Sequence, residues 1–384
     1  MFILVINCGS SSAKYRLFDI AKRRAIAKGV VERIGQAGSN LKHETDRGVL
    51  KSKISCRDHY VAIRLIVDAL TDRHHGVMRS KNDIIGIGHR VVHGGEEFKS
   101  STVITPKVIR SIEKYSELAP LHNPSSLLGI RACSKILKGI LQVAVFDTSF
   151  HQTMPAEAFL YGLPFKLYTK YGIRRYGFHG TSHRFVAEQA PKVLKRPAKN
   201  LKLVTCHLGN GCSMAAIRGG ISVDTTMGFT PLEGLLMGTR SGDLDPAVVF
   251  YLMEKERLSP EEISDILNKE SGLLGVSGVS NDMRDLLKAS RASGRMAERA
   301  KIAIELFIYR IEKYIGAYQA AMGGLDAVIF TAGIGENNPW LVRCIENDLK
   351  GVVSKKTKFL VIPTNEELLI ARDTYKLIKM KKGR

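Results

Sequence analysis

The residues of this chain with the clearest capacity for chemistry lie between positions 203 and 246. An apolar strand at residues 203–206 leads into a His-Leu-Gly-Asn-Gly turn at 207–211, and a second strand of small residues follows. Glycines on both sides of an asparagine let the backbone approach an anion closely and direct several N–H groups towards it. Arg240 comes later, and a guanidinium fits phosphate oxygens. The stretch predicts a site for a polar, anionic ligand, although residues 207–211 taken alone also fit an ordinary hairpin turn.

The first nineteen residues repeat this arrangement. A strand at residues 2–6 and another at 15–19 flank the polar turn 7–12, and Lys14 lies just beyond that turn. A strand–polar turn–strand unit near the start of each half indicates an internal duplication with one phosphate loop in each copy.

Three further strand ends carry residues suited to chemistry. Arg90 lies at the end of a β-prone run beside a Gly-Gly turn, and Asp147 follows another apolar strand. A strand at 325–330 delivers a Gly-x-Gly segment, residues 331–338, ahead of a helix whose N-terminus suits a nucleotide. This signal is weak, because the chain contains neither a complete G-x-G-x-x-G nor a Walker P-loop.

The remaining pattern predicts alternating strands and helices. We expect a surface hairpin or loop at 36–54 and further strands at 25–33, 83–92, 141–146 and 359–362. Asn123 is expected to cap a helix that begins with Pro124, and the other predicted helices are 57–73, 246–256, 260–269, 295–322 and 364–378. This alternation predicts α/β architecture with the site between two domains. A chain of 384 residues exceeds one core, and we place the main boundary just after Asp147.

Composition disfavours several other classes of protein. The net charge is +21, but the basic residues are scattered and aromatics make up only 7%, so we expect a solvated surface that attracts anionic substrates rather than nucleic acid. No run approaches the ~20 apolar residues of a membrane span, and we expect a cytoplasmic protein without a membrane partner. The six cysteines form no C-x-x-C pair, which predicts reduced, buried thiols. His179 and His183 have the spacing of a metal-binding helix, but nearby glycines argue against a helix there, and we expect no zinc site.

Nine segments of the chain match, in order, segments of the acetate kinases: NCGSSSAKY, GHRVVHGG, LAPLHNP, VFDTSFH, RRYGFHGTSH, HLGNGCS, MGTRSGDLDP, FTAGIGENN and IPTNEEL. The chain resembles that family over essentially its whole length. The resemblance implies two duplicated ribonuclease H-like domains with an active-site cleft between them, as in the actin-like ATPase superfamily. Residues 1–148 with about 367–384 would form the N-terminal domain, and about 149–366 the C-terminal nucleotide-binding and dimerisation domain of a homodimer.

The resemblance also implies roles for individual residues. Asn7 and Glu366 would hold Mg²⁺, with Mn²⁺ as a substitute. Arg90 would bind the acetate carboxylate or acetyl phosphate. The catalytic set of the family is matched by Asp147, His179, Arg240 and Arg90. The substrate-binding positions are matched by Arg90, Val92, Leu121, His122, Phe178 and Pro231. The ATP-binding positions are matched by Ser10, Ser12, Lys14, His207, Leu208, Gly209, Asn210, Gly211, Asp282, Met283, Arg284, Gly333, Ile334, Gly335, Glu336 and Asn337.

The implied reaction is Mg²⁺-dependent, reversible, in-line transfer of the ATP γ-phosphoryl group to acetate, giving acetyl phosphate and ADP. A carboxylate nucleophile is already ionised, so Asp147 is expected to orient an arginine or a metal-bound water rather than accept a proton. Val92 follows Arg90 by two residues, and in an extended strand both side chains would face the acyl group. A propionate or other short-chain acyl kinase is the alternative within the class. An ATP-dependent conformational protein or a nucleic-acid binder is the alternative from another class.

Overall fold

Two β-sheets organise the chain, one in each half. The computed structural model describes residues 1–382. The strands are β1 (Phe2–Cys8), β2 (Ser12–Asp19), β3 (Arg24–Glu32), β4 (Asn40–Thr45), β5 (Gly48–Lys53), β6 (Ile84–Val91), β7 (Thr102–Val103), β8 (Gln142–Phe146), β9 (Lys202–Leu208), β10 (Cys212–Arg218), β11 (Ile221–Thr225), β12 (Ala327–Thr331) and β13 (Lys358–Val361).

Helices of very different lengths connect these strands. They are α1 (His59–Thr71), α2 (Pro106–Lys114), α3 (Asn123–Ile136), α4 (Ala156–Phe159), α5 (Phe165–Tyr171), α6 (Gly180–Leu194), α7 (Ala247–Lys255), α8 (Pro260–Asp265), α9 (Gly272–Ser277), α10 (Met283–Ala289), α11 (Arg295–Met322), α12 (Ala332–Asn337), α13 (Pro339–Asp348) and α14 (Glu366–Lys382). Within the described part of the chain, no helix is long and apolar enough to cross a membrane.

The chain divides into two units. Unit 1 comprises Met1–Phe150 and Asn365–Arg384, and unit 2 comprises His151–Thr364. The first junction between the units therefore falls three residues after Asp147. Gly383 and Arg384, the last residues of the expected N-terminal domain, lie outside the described residues.

Unit 1 is an eight-stranded sheet in the order β5-β4-β3-β2-β1-β6-β8-β7. β1 pairs antiparallel with β2 and parallel with β6, which in turn is parallel to β8. Leu4 and Ile6 face a core shared with α1 and α3, whereas Ile3 and Val5 face a second core shared with α14. A strand buried on both faces reads as a continuous apolar run, and this explains the sequence at residues 2–6.

Unit 2 repeats the central part of that sheet. Its strand order is β11-β10-β9-β12-β13, with β9 antiparallel to β10 and parallel to β12, and β12 parallel to β13. The same order and directions occur in unit 1 as β3-β2-β1-β6-β8. The α/β class and the internal duplication expected from the two turn units are confirmed by this shared order.

Most element predictions are confirmed, including the hairpin of β4 and β5 within 36–54 and the long helix α11. Three details were wrong. Asn123 is the first residue of α3 and not its cap, residues 332–337 form the short helix α12 rather than a loop, and α6 begins at Gly180 despite the surrounding glycines. All six cysteines are free; five are buried and Cys344 is half-buried.

Candidate functional site

The ends of β6 and β8 bring Arg90 and Asp147 of unit 1 together. Arg90 lies opposite Val145 in these parallel neighbours, so the residue that follows β8 reaches the same edge. Arg90 donates from Nε (3.0 Å) and Nη2 (2.5 Å) to one carboxylate oxygen of Asp147, which is only 1% exposed. The carboxylate of Glu366 lies 3.8 Å from Arg90 Nε. An arginine is therefore held in place by one buried carboxylate and approached by a second.

The charges in this group shift each other's pKa values. Burial opposes the charged form of Arg90, but the carboxylates of Asp147 and Glu366 outweigh it and raise the arginine pKa. Burial also raises the pKa of Glu366, against the opposing charge of Arg90, and the nearby Asp147 adds to the rise. Glu366 is thus a carboxylate whose protonated form is favoured by burial, despite the neighbouring Arg90.

Glu366 reaches this position because α14 packs very closely on β6. A methyl group on Gly88 would lie 2.5 Å from Thr374 Oγ1 and 2.6 Å from Ile370 Cγ2. Gly86 is crowded in the same way by Ile378. The sequence reasoning assigned no role to either glycine, although a G-x-G pair inside a β-prone run is a sign of close backbone approach.

Four predicted site residues lie in and around the β1–β2 turn of unit 1: Asn7 in β1, Ser10 in the turn, and Ser12 and Lys14 in β2. Asn7 is paired with Lys14 across β1 and β2, and the turn is closed by a 2.8 Å hydrogen bond from Gly9 N to Ser12 O. Asn7 and Lys14 also line a groove of about 230 Å³ together with Arg16, Lys28 and Lys42. Glu44 and Glu367 also line the groove and pair with Lys28, Lys42 and Arg16, so the groove has charges of both signs.

The predicted acyl-group residues of unit 1 are arranged differently from the expectation. β6 ends at Val91, so Val92 lies at a bend and the argument from strand alternation does not apply to it. Leu121 is 74% exposed, and His122 precedes α3 without a side-chain capping bond. Asn123, to which no function was assigned, is fully buried and clasps the loop after β6 through His93 N (3.1 Å) and His93 O (3.0 Å).

In unit 2, His179, Gly211 and Arg240 meet at the β9–β10 turn. A methyl group on Gly211 would lie 3.4 Å from Arg240 Nη1 and 3.5 Å from His179 Nε2. The rings of His179 and His207 stack with centroids 4.2 Å apart. His179 adopts a left-handed backbone conformation (φ 53°), which is rare for a residue with a side chain and is concentrated at functional sites. Two side-chain donors therefore converge on the space above a glycine.

Arg240 also contacts the loop that carries a predicted acyl-group residue. Its Nη1 donates to the carbonyl of Pro231 (3.2 Å), and burial lowers the pKa of the guanidinium. Phe178, the residue before His179, is 2% exposed. Pro231 and Phe178 of unit 2 are thus each fixed beside a residue of the predicted catalytic set.

A pocket of about 450 Å³ in unit 2 is lined mainly by predicted ATP-binding residues. We call it the Asn210 pocket; its lining is Gly209, Asn210, Asn281, Asp282, Met283, Arg284, Gly333, Ile334, Asn337 and Asn338. Asn281 Nδ2 donates to Asn210 Oδ1 (3.1 Å) and joins two of the lining segments. The volume lies within the ~300–1,000 Å³ typical of small-molecule sites. Asn281 and Asn338 were missed, although each directly adjoins a predicted segment.

Two residues of the predicted ATP set face the protein interior. Glu336 Oε1 accepts hydrogen bonds from Ala332 N (2.8 Å), Thr364 N (3.1 Å) and Thr331 Oγ1 (3.2 Å). Gly335 is buried against Phe330 and Leu208. Glu336 therefore ties the strand β12 to α12 within unit 2, and its direct contact with a nucleotide stays a prediction.

The two side chains predicted to bind a divalent cation, Asn7 and Glu366, both offer oxygen atoms as ligands. The described residues contain no group of three or more His, Cys, Asp or Glu side chains arranged to hold a metal. Mg²⁺ is usually bound by one or two carboxylates, with water and substrate phosphates completing its shell. The Asn7 amide and the Glu366 carboxylate supply oxygen donors of the kind used in that mode of binding.

Comparison with known proteins places the chain in a family. The sequence profile of the acetokinase family matches residues 2–352. The chain belongs to the acetokinase family. It is 54% identical over 400 residues to an acetate kinase from Halothermothrix orenii, covering 99% of this chain and 100% of the relative.

Solved structures of this family have the same fold. The acetate kinase of Porphyromonas gingivalis superposes with a TM-score of 0.94 at 44% identity, covering 98% of this chain and 99% of the other. A propionate kinase from Francisella tularensis superposes with a TM-score of 0.90 at 39% identity, with the same coverage. Structural likeness therefore extends to proteins named for two different acids.

Proposed function

We propose that this protein transfers the γ-phosphoryl group of ATP to acetate, reversibly, giving acetyl phosphate and ADP. Membership of the acetokinase family carries the proposal, because relatives named acetate kinase match the chain from end to end at 54% and 51% identity. The enzyme class is a phosphotransferase with a carboxyl group as acceptor.

Arg90 would bind the acetate carboxylate. Asp147 occupies the Nε–Nη2 edge of the guanidinium, so a ligand would bind Nη1 and the second hydrogen of Nη2. Arginine commonly donates two parallel N–H bonds to the two oxygens of a carboxylate. Such paired bonds would also fix the orientation of acetate for attack on the phosphoryl group. Asp147 is already committed to Arg90, which supports a role in orienting that arginine.

The donors of unit 2 would stabilise the transferring phosphoryl group. Charge spreads over its equatorial oxygens in the transition state, and fixed hydrogen-bond donors are the main source of catalysis for such reactions. The His179 imidazole and the Arg240 guanidinium lie beside Gly211 and would supply such donors. The Asn210 pocket would hold the adenosine end of ATP.

Asn7 and Glu366 would hold Mg²⁺, together with water and ATP phosphates. The bound cation would neutralise charge on the phosphate oxygens. The cation would also favour the ionised form of Glu366, whose pKa is raised by burial.

A homodimer is part of the proposal. Large apolar side chains on α7 and α11 are exposed, among them Phe250 (70%), Tyr251 (60%) and Tyr309 (56%). Large apolar side chains exposed on a surface helix, such as the neighbouring Phe250 and Tyr251, would suit a protein interface. Sedimentation of the wild-type protein tests the assembly. The cytoplasmic location stays a prediction.

The choice of acid is tested with a panel of short carboxylates in a coupled assay with ATP and Mg²⁺. Acetate should have the highest kcat/KM, and propionate should be poorer but not excluded, because one methylene changes binding by only ~1–3 kcal/mol. Val92→Ala should raise the propionate-to-acetate ratio of kcat/KM, whereas Val49→Ala, at an exposed valine of β5, should leave it unchanged. A wild-type preference for propionate would replace acetate as the substrate, and an unmoved ratio in Val92→Ala would remove Val92 from the acyl pocket.

A further inference from the structure

A chain of buried hydrogen bonds runs from β9 to the His179 ring. Thr205 Oγ1 contacts His183 Nδ1 (2.7 Å), His183 Nε2 contacts Ser213 Oγ (2.7 Å), and Ser213 Oγ contacts His179 Nδ1 (2.9 Å). Thr205, His183 and Ser213 are each 0% exposed. His183 lies one helical turn after His179, so both rings reach the same serine. Four side chains therefore form one continuous path: two come from β9 and β10, one from α6, and one from the residue that precedes α6.

The donor and the acceptor in each of these hydrogen bonds are set by Thr205, at the end of the path away from His179. Within the described residues, the Thr205 hydroxyl has the His183 nitrogen as its hydrogen-bond partner and no other. A buried hydroxyl proton without an acceptor costs about 1–3 kcal/mol, so this proton is donated to His183 Nδ1. His183 therefore carries its own proton on Nε2. Burial lowers the pKa of His183 far below its ordinary value, which keeps the ring neutral.

The remaining protons follow from this start. His183 donates from Nε2 to Ser213 Oγ, and the hydroxyl proton of Ser213 is left to bond His179 Nδ1. His179 Nδ1 is then an acceptor, so the proton of the neutral ring lies on Nε2. A charged His179 would have a proton on both nitrogens and would leave the Ser213 proton without an acceptor.

We propose that Thr205, His183 and Ser213 are positioning residues that hold His179 as a neutral ring with its proton on Nε2. That atom lies on the side of the ring that faces Gly211 and Arg240. His179 Nε2 is thereby a fixed hydrogen-bond donor. Its purpose, donation to an oxygen of the transferring phosphoryl group, rests on the proposed function.

The tautomer is measured directly by NMR of the full-length protein with ¹⁵N-labelled histidine rings. His179→Gln identifies the His179 signals by their loss. The wild-type ring should show a protonated Nε2 and an unprotonated Nδ1. Protonation on Nδ1 would overturn the proposal, and this result does not depend on any enzymatic activity.

Two variants of Thr205 test whether the far end of the path controls this state. Thr205→Val removes the hydroxyl three hydrogen bonds away from His179, and it should shift the His179 signals towards a mixture of tautomers. Thr205→Ser keeps the hydroxyl and should retain the wild-type signals. Identical His179 signals in wild type and Thr205→Val would overturn the assignment of Thr205 as the donor that sets the His179 tautomer. If Thr205→Val does not fold, Ser213→Ala gives the same reading, because it removes the donor to Nδ1 itself.

Kinetics separate positioning from a general loss of packing. Ser213→Ala should lower kcat roughly 10- to 100-fold, as when a partner that orients a functional imidazole is removed, with KM for ATP within about two-fold. Ser39→Ala is the matched control, because it removes a buried serine whose hydroxyl bonds the backbone carbonyls of Arg33 and Gln36. An equal fall of kcat in both variants would reduce Ser213 to a packing residue. A wild-type protein without kinase activity would refute the proposed function and leave the NMR result intact.

Discussion

Replacing Gly88 by alanine should displace α14 and, with it, Glu366. The added methyl carbon would lie 2.5 Å from Thr374 Oγ1 and 2.6 Å from Ile370 Cγ2, whereas unstrained carbon contacts lie at about 3.5–4.0 Å. Neither atom can turn aside easily. Thr374 Oγ1 is held by a 2.7 Å hydrogen bond to Ile370 O, and both side chains are β-branched. The helix must therefore move away from β6 by about 1 Å to restore ordinary contact distances.

The size of the effect follows from this displacement. Forcing one extra methyl into a packed core costs about 1–3 kcal/mol, which lowers the Tm of a unit of this size by roughly 2–12 °C. Glu366 is the first residue of α14 and lies 3.8 Å from Arg90 Nε, so it moves with the helix. A misplacement of 1 Å can cost ~10²-fold in rate, and we expect kcat/KM for acetate to fall by about 10- to 100-fold.

The assay compares thermal unfolding and kcat/KM for wild type, Gly88→Ala and Gly316→Ala. Gly316 lies inside α11 with open space around its Cα, so the same substitution there should stabilise the protein by about 0.5–1 kcal/mol and leave turnover unchanged. If Gly88→Ala keeps the wild-type Tm and kcat/KM, α14 is not held against β6 as tightly as the distances indicate, and the link from Gly88 to Glu366 is wrong.

Three further substitutions test other parts of the site. Gly333 has no atom within 4 Å of an added methyl and lines the Asn210 pocket, so Gly333→Leu should raise KM for ATP while leaving Tm close to wild type; an unchanged KM would move the nucleotide elsewhere. Glu366→Ala should lose turnover at low Mg²⁺ and recover partly as Mg²⁺ rises, and normal activity at limiting Mg²⁺ would contradict the metal assignment. Burial lowers the pKa of His89 from 6.5 to about 4. As the pH drops through that range, His89 is protonated in the unfolded chain before it is protonated in the folded protein. The free energy of unfolding should therefore fall by up to about 3 kcal/mol. His89→Gln should flatten this dependence in urea unfolding at pH 7.5 and 4.5, and an unaltered slope would show that other groups cause it.

The parts of the fold that sequence could predict are those encoded locally. Apolar runs bounded by Gly, Asn and Ser specify the β1–β2 and β9–β10 units because strand and turn are both short-range features. Arg90 and Asp147 could also be paired in advance, because they follow neighbouring strands of a parallel arrangement. The nine matched motifs then supplied the family.

Contacts between distant segments could not be predicted in this way. Gly86 and Gly88 read as ordinary residues of a strand, and their role depends on a helix nearly three hundred residues later in the chain. Asn123 has the signature of a helix cap, yet its amide is used to hold the loop at His93, because a buried loop backbone needs hydrogen-bond partners. Local propensity therefore predicted the existence of these elements, but it did not predict which distant groups their residues would contact.

Two residues of unit 2 with strained backbone conformations explain why several polar side chains of its motifs make hydrogen bonds inside the protein. His179 and Ala332 both have positive φ (53° and 64°), a conformation that costs of order 1–3 kcal/mol outside glycine and persists only when neighbouring bonds fix it. Ala332 N is held by Glu336, whose same oxygen also binds Thr331 and Thr364. His179 is held by Ser213 at its ring and by the first turn of α6 at its carbonyl. Residues of the motifs that do not face a ligand therefore have a physical role, because they keep the ligand-facing backbone in conformations that it would not adopt alone.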